Sequence, residues 1–180
     1  MTKRSAGLLV YRRPSLDRDG GLEVDLEVDL EVFLVHPGGP FWAKKDHGAW
    51  SISKGEYEES EPPLEAALRE FREETGFAVG GDFAGEFLEL GAVRQAGGKL
   101  VTAWACAGDF DPAHLVSNEC EIEWPPRTGK LIRIPEVDRG AWFPISEACN
   151  RIFASQQEFL NRLLQKLGQD TPCQDPPPTA

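Results

Sequence analysis

Between Gly55 and Phe77 the chain places eight glutamates: Glu56, Glu58, Glu59, Glu61, Glu65, Glu70, Glu73 and Glu74. Three of them fall within the hexapeptide REFREE, Arg69 to Glu74. Like charges this close repel one another, so the segment needs a reason. Its spacing predicts a helix over Pro63 to Thr75. Pro62 and Pro63 fall in the first turn, where a missing N–H costs nothing. Ser60 is placed to cap it, and Gly76 suits the left-handed position that ends a helix. Leu64, Ala67, Leu68, Phe71 and Thr75 recur at helical spacing and form a core stripe. Glu70, Glu73 and Glu74 then share the other face. Bare, that face is destabilising. With a hard divalent cation it becomes a ligand set, because Mg²⁺ takes carboxylate oxygens and waters and bridges to phosphates. A bound water deprotonated by a spare carboxylate is a nucleophile for phosphorus. Taken alone, REFREE reads sooner as a solvated, salt-bridged face whose repulsion Arg69 and Arg72 relieve in part.

The wider spacing separates these readings. Gly55 is followed by five residues and Glu61, then seven residues and Arg69-Glu70-Phe71-Arg72-Glu73-Glu74-Thr75-Gly76-Phe77. This is the Nudix box, G-x5-E-x7-R-E-U-x-E-E-x-G-U with U bulky and apolar, and the chain therefore resembles the Nudix hydrolases. AGLLVYRR is similar to the family's first core strand, and AWSISKGE to the segment leading into the box. Ser53 departs from the proline that many members carry. The resemblance spans Ser5 to Leu167. It implies an α+β fold, an α/β/α sandwich around a central mixed β-sheet. It also implies cleavage of a pyrophosphate bond in a nucleoside diphosphate linked to a group X, with Mg²⁺ or Mn²⁺. By resemblance, Glu73 and Glu74 are the principal metal ligands and Glu70 a ligand or general base. Arg69 orients these acids, and a backbone carbonyl of Lys54 or Gly55 adds a ligand. Glu61 matches a secondary position. Glu136, six residues before Trp142, matches the further catalytic glutamate of many members, with Glu121 and Glu123 as rivals.

Substrate contacts are less sharply marked. Lys44 and Lys45 lie in the loop before the box, Lys99 near a turn opposite it, and Arg12 and Arg13 end the first strand. They are candidates for distal phosphates, or plain surface charges. Trp42, with Phe41 and Trp50, is a candidate platform for a base, or a packing residue. Tyr11 and Trp104 read as core. The short first strand and the glutamate–tryptophan spacing are similar to the diadenosine polyphosphate hydrolase branch. Dinucleoside polyphosphates or nucleoside triphosphates therefore rank first as substrates. Diphosphoinositol phosphates come next, then ADP-ribose. A non-catalytic metal- or nucleotide-binding or interaction module is the contrasting class, though such a module has no need of a base.

The elements that must position these residues can be read from pattern. Ser5 to Arg12 is a short apolar run, a buried strand. Leu22 to His36 begins with alternating apolar and acidic residues, the tandem VDLE, and reads as an acidic hairpin arm over 22–32 whose charges protect an exposed edge; Glu31 to His36 is its core part. Pro37 to Lys54 reads as a loop. Phe87 to Val93 and Leu100 to Ala107 are strands about a turn at Gly97 and Gly98. Ser117 to Ile134 reads as an irregular connection, and Glu136 to Phe143 as the last strand. One helix is expected over Ser146 to Leu167, stopped by Gly168. Residues 1–168 then form one Nudix domain, and 169–180 a disordered Pro-rich tail.

Composition limits the partners. The 180 residues carry a formal net charge of −11, which disfavours nucleic acid and anionic membranes. No run reaches the ~20 apolar residues of a membrane helix. Cys106, Cys120, Cys149 and Cys173 lack zinc-site spacing and read as free thiols in a reducing cytoplasm. The expectation is a cytoplasmic monomer or homodimer acting on a small nucleotide or polyphosphate, with the cation offsetting repulsion between acidic protein and anionic substrate.

Overall fold

The apolar run SAGLLVY becomes the centre of the sheet. The computed structural model describes residues 3–13, 30–79, 85–95 and 97–169. Strand β1, Arg4–Arg12, pairs from Arg4 to Tyr11 with β5, Leu100–Ala107, in parallel. Its other edge is shared. The first half pairs antiparallel with β3, Ser53–Glu56, from Ser5 opposite Glu56 to Leu8 opposite Ser53. The far end pairs antiparallel with β2, Glu31–Pro37, through Tyr11 opposite Val32. β4, Leu88–Arg94, adds antiparallel to β5, and β8, Val137–Pro144, adds antiparallel to β2. The order is β4-β5-β1-β2-β8, with β3 beside β1. A separate hairpin joins β6, Glu119–Glu123, to β7, Leu131–Pro135.

Side chains alternate across β1 and so feed two cores. Leu8 and Val10 join Phe33, Val35, Phe71, Cys106 and Val137 beneath helix α1, Pro63–Thr75. Leu9 joins Leu34, Ile52 and Val101 beneath α2, Ile145–Arg151, and α3, Gln157–Lys166. Phe159, Leu160, Leu163 and Leu164 of α3 are wholly buried there. Each such side chain contributes about 1.5–3 kcal/mol of burial. The result is the expected α/β/α sandwich on a mixed sheet.

Helix α1 has the predicted bounds, and Gly76 ends it at φ 77°. Two details differ. Pro62, not Ser60, is the N-cap residue, and no side chain caps the helix. The buried stripe is Ala66, Ala67, Glu70, Phe71 and Thr75, with Leu64 and Leu68 only half-buried. Ala66 and Ala67 pack with Ala6 of β1, so small side chains bring the helix close to the sheet and turn Glu70 inward.

Three expectations are corrected. Residues 53–56, read as loop, are a strand because β1 offers a free edge to them. The 117–134 connection contains the β6–β7 hairpin, whose half-buried face is Cys120, Ile122, Ile132 and Ile134. The helix expected over Ser146 to Leu167 is broken. Ile152 turns extended and bridges to Trp50, a short 3-10 turn follows at Ala154–Gln156, and α3 begins afterwards. The break buries Gln156, whose side-chain amide oxygen Oε1 accepts from the Ile52 N–H at 3.0 Å. Cys149 is disulfide-bonded, against the expectation of free thiols; Cys106 and Cys120 are free. Most of the acidic arm and the Pro-rich tail lie outside the described residues. Among those residues no helix is long and apolar enough to cross a membrane.

Candidate active site

Helix α1 presents Arg69, Glu70, Glu73 and Glu74, and β3 runs past them with Lys54 and Gly55. Arg69 is the hub. Its Nε and Nη2 donate to the two oxygens of Glu61 at 2.9 and 3.0 Å. Its Nη1 donates to Glu70 Oε1 at 2.6 Å and to Glu73 Oε2 at 3.2 Å. The planar guanidinium thus fixes three acids at once, which a lysine point charge cannot do. The Glu70 carboxylate lies on Gly55, so close that a Cβ there would come 1.8 Å from Glu70 Oε2. Glu74 Oε2 accepts the Lys54 backbone N–H at 2.9 Å.

Burial dominates the electrostatics. It pushes the Glu74 carboxyl up to about 7, against the pull of the Lys54 ammonium. Burial also raises Glu70, where Arg69 opposes it and the charges of Glu73 and Glu136 add to it. Burial lowers Lys54, against the pull of Glu74, Glu70 and Glu136. Two acids whose charged forms are under-compensated, beside a third on the same helix, suit a hard divalent cation.

The donor chemistry fits Mg²⁺ or Mn²⁺: carboxylate oxygens on adjacent helical turns with main-chain carbonyls of β3 alongside. Among the described residues no three His, Cys, Asp or Glu side chains already stand in a coordinating arrangement. Arg69 holds Glu70 and Glu73, and Glu74 is turned to the Lys54 N–H.

Other candidates divide by location. Glu136 is exposed just before β8, and its charge acts on both Glu70 and Lys54. The rivals are engaged on the hairpin: Glu123 accepts the Gly129 N–H at 2.6 Å, and Glu121 lies 3.9 Å from Arg133. Lys99 donates to Glu56 at 3.2 Å, at the end of β3. Lys45 Nζ lies over the Phe41 ring at 3.4 Å and the Trp42 ring at 4.7 Å, and Trp42 packs edge-on to Phe153. Lys44 is exposed on the same turn. Arg12 lies roughly 20 Å along β1 from the Gly55 register, at about 3.3 Å per residue. There it pairs with Glu31 at 2.7 Å and Asp109 at 2.6 Å and stacks on Trp142. Trp50 is buried, with its indole N–H on Asp46 at 2.8 Å.

Two features escaped the sequence reading. Lys54 was singled out for its carbonyl, yet its ammonium also faces the acid cluster. Gly55 matters for the space it leaves to Glu70. The lysine–glycine pair just ahead of the acidic helix is the available signal for both.

A model of the NUDIX domain matches residues 26–163. The chain belongs to the Nudix family, and it is a Nudix pyrophosphohydrolase. An Ap4A hydrolase of C. elegans, solved as a binary complex, has a similar fold: TM-score 0.58 at 16% identity, over 91% of this chain and 98% of that one. A mutT/nudix family protein of Listeria innocua gives 0.55 at 15%, over 92% and 94%. The NUDIX domain of Shewanella oneidensis NrtR, complexed with ADP ribose, gives 0.56 at 16%, over 93% and 89%. The comparison with curated proteins finds no match.

Proposed function

We propose that this hydrolase cleaves a pyrophosphate bond in a nucleoside diphosphate-X substrate, with a dinucleoside polyphosphate or nucleoside triphosphate as X-linked substrate class. One observation carries the reading: Glu70, Glu73 and Glu61 are gripped by a single arginine beside Gly55, with Glu74 one turn along. Glu73, Glu74 and Glu70, with the carbonyl of Lys54 or Gly55, would hold Mg²⁺ or Mn²⁺. The bound cation supplies neutralisation of phosphate charge and an acidified water.

The chain's own groups do the rest. Arg69 keeps the carboxylates from swinging apart. Glu70 or Glu136 takes the proton from the attacking water, and burial raises the Glu70 carboxyl, which favours it as a proton acceptor. Lys44, Lys45 and Lys99 would meet distal phosphates, and Trp42 a base; Arg12 would serve only a long substrate. Residues 1–168 act as one unit in this reading, as monomer or homodimer, without nucleic acid. The free thiols of Cys106 and Cys120 support a cytoplasmic placement, and the disulfide at Cys149 counts against it.

The neighbour named as an Ap4A hydrolase and the NrtR domain solved with ADP ribose support the nucleotide class. The ADP ribose in the NrtR domain favours ADP-ribose as the second reading. Diphosphoinositol phosphate and a non-catalytic nucleotide-binding module stand behind it. The test is chromatographic analysis of the phosphorylated products formed from a panel of nucleoside triphosphates, diadenosine polyphosphates, ADP-ribose and a diphosphoinositol phosphate, with Mg²⁺ and with Mn²⁺. Turnover of the first two, lost in Glu73→Gln and Glu70→Gln, is expected. Turnover of ADP-ribose alone selects the second reading, and a folded protein inert to all of them selects the binding module.

A further inference from the structure

His36 lies in β2 with none of its surface exposed. Both ring nitrogens face acceptors. Nδ1 is 2.8 Å from Asp138 Oδ1, and Nε2 is 2.9 Å from the Lys45 carbonyl oxygen. A carbonyl oxygen and an ionised carboxylate both accept and cannot donate. Neutral imidazole has one N–H, so it leaves one of these acceptors without a donor; imidazolium serves both. We infer that His36 is a doubly donating imidazolium and a positioning residue, bracing the Phe41–Lys45 turn to the strand that follows Glu136. The inference rests on the reading that this turn and Glu136 flank the substrate.

The connections run both ways from the ring. Asp138 stands two residues after Glu136, on β8. Lys45 closes a turn tied to itself: Trp42 and Ala43 donate their N–H groups to the Gly39 carbonyl at 3.2 and 3.1 Å, and Lys45 donates to Trp42 at 2.7 Å. The start of the turn is fixed to the same segment. The Gly38 N–H donates to the Glu136 carbonyl at 2.9 Å, and a Cβ at Gly38 would come 1.9 Å from the Pro135 carbonyl oxygen. The turn therefore meets the Glu136 segment twice, directly at Gly38 and through His36 at Lys45.

The surrounding charges are distributed on several elements. Asp138 is the acid in contact. Trp50 packs against the ring at 5.2 Å between centroids. Its other neighbours are Arg139, whose guanidinium lies over the indole, and Asp46, which accepts the indole N–H and pairs with Arg151. The Lys45 ammonium is turned onto Phe41 and Trp42. Removing one proton from His36 leaves its remaining N–H with the charged partner, Asp138, because charge-assisted hydrogen bonds are the stronger ones. The Lys45 carbonyl then loses its donor and the turn loosens.

The test uses the full chain labelled with ¹⁵N, the His36 signals being assigned with His36→Gln. Both His36 ring nitrogens are expected to be protonated at neutral pH. His36→Leu should speed amide exchange at Trp42, Ala43 and Lys45 and raise KM roughly tenfold with a smaller change in kcat. His36→Gln, which keeps one donor, should recover part of both. A neutral imidazole in the folded wild type overturns the inference, as does unchanged exchange in folded His36→Leu. If the wild type turns over nothing, the hydrolase reading fails, while the nitrogen spectra and amide exchange still decide the brace.

Discussion

Gly55 determines where the Glu70 carboxylate can sit. Its backbone is not in the left-handed region, so alanine is allowed conformationally. The clash would fall on the mobile end of Glu70, which can swing aside. Gly55→Ala is therefore expected to keep its melting temperature within a few degrees while losing about a hundredfold in kcat, as misplaced catalytic groups do. Unchanged kcat in a folded variant would show that Glu70 need not lie against β3. At this scale the sequence was most informative where spacing is rigid: Arg69, Glu70, Glu73 and Glu74 are fixed relative to one another by one helix. It was least informative where two elements meet. Nothing in the residue order indicates that the Lys54 ammonium faces those acids, or that both His36 nitrogens find acceptors.

Among the elements, α1 was legible to the residue because prolines and a glycine punctuate an amphipathic run. The α2–α3 break was not. Ile152, Phe153, Phe159, Leu160, Leu163 and Leu164 keep helical spacing with no proline or glycine between them, and the break comes from tertiary partners: Ile152 bridges to Trp50, and the Gln156 side chain binds the Ile52 N–H. The loop before β3 is held to this break by Asp46. Its carboxyl lies below the usual aspartate range because the Trp50 N–H and the Arg151 guanidinium favour its charged form. Stability from this pairing is present above the unfolded aspartate value of about 3.9 and lost as pH falls through the lower folded value. Asp46 is partly exposed, so the contribution is small. Melting curves of wild type and Asp46→Asn should differ at neutral pH and converge below about pH 3.9. A gap that persists undiminished in acid would mean that Asp46 acts through packing and not through its charge.

The whole molecule carries −11 and is proposed to act on an anion. Its sheet places the acids of α1, the start of β3 and the segment before β8 at one end, while Arg12 and its partners occupy the other. That layout follows from β1 pairing with β3 and β2 on a single edge. Such sharing is invisible in a sequence, where 53–56 is only a short polar stretch. An acidic enzyme of this layout cannot gather phosphate oxygens around its own carboxylates unaided. The most direct measurement of the central claim is the initial rate of pyrophosphate hydrolysis against Mg²⁺ concentration, for wild type and Glu73→Gln side by side. The expected result is no turnover in chelator, saturable activation of the wild type by Mg²⁺, and a loss of about two orders of magnitude or more in the variant. Hydrolysis that persists in chelator, or a folded Glu73→Gln that matches the wild type at saturating Mg²⁺, would contradict it.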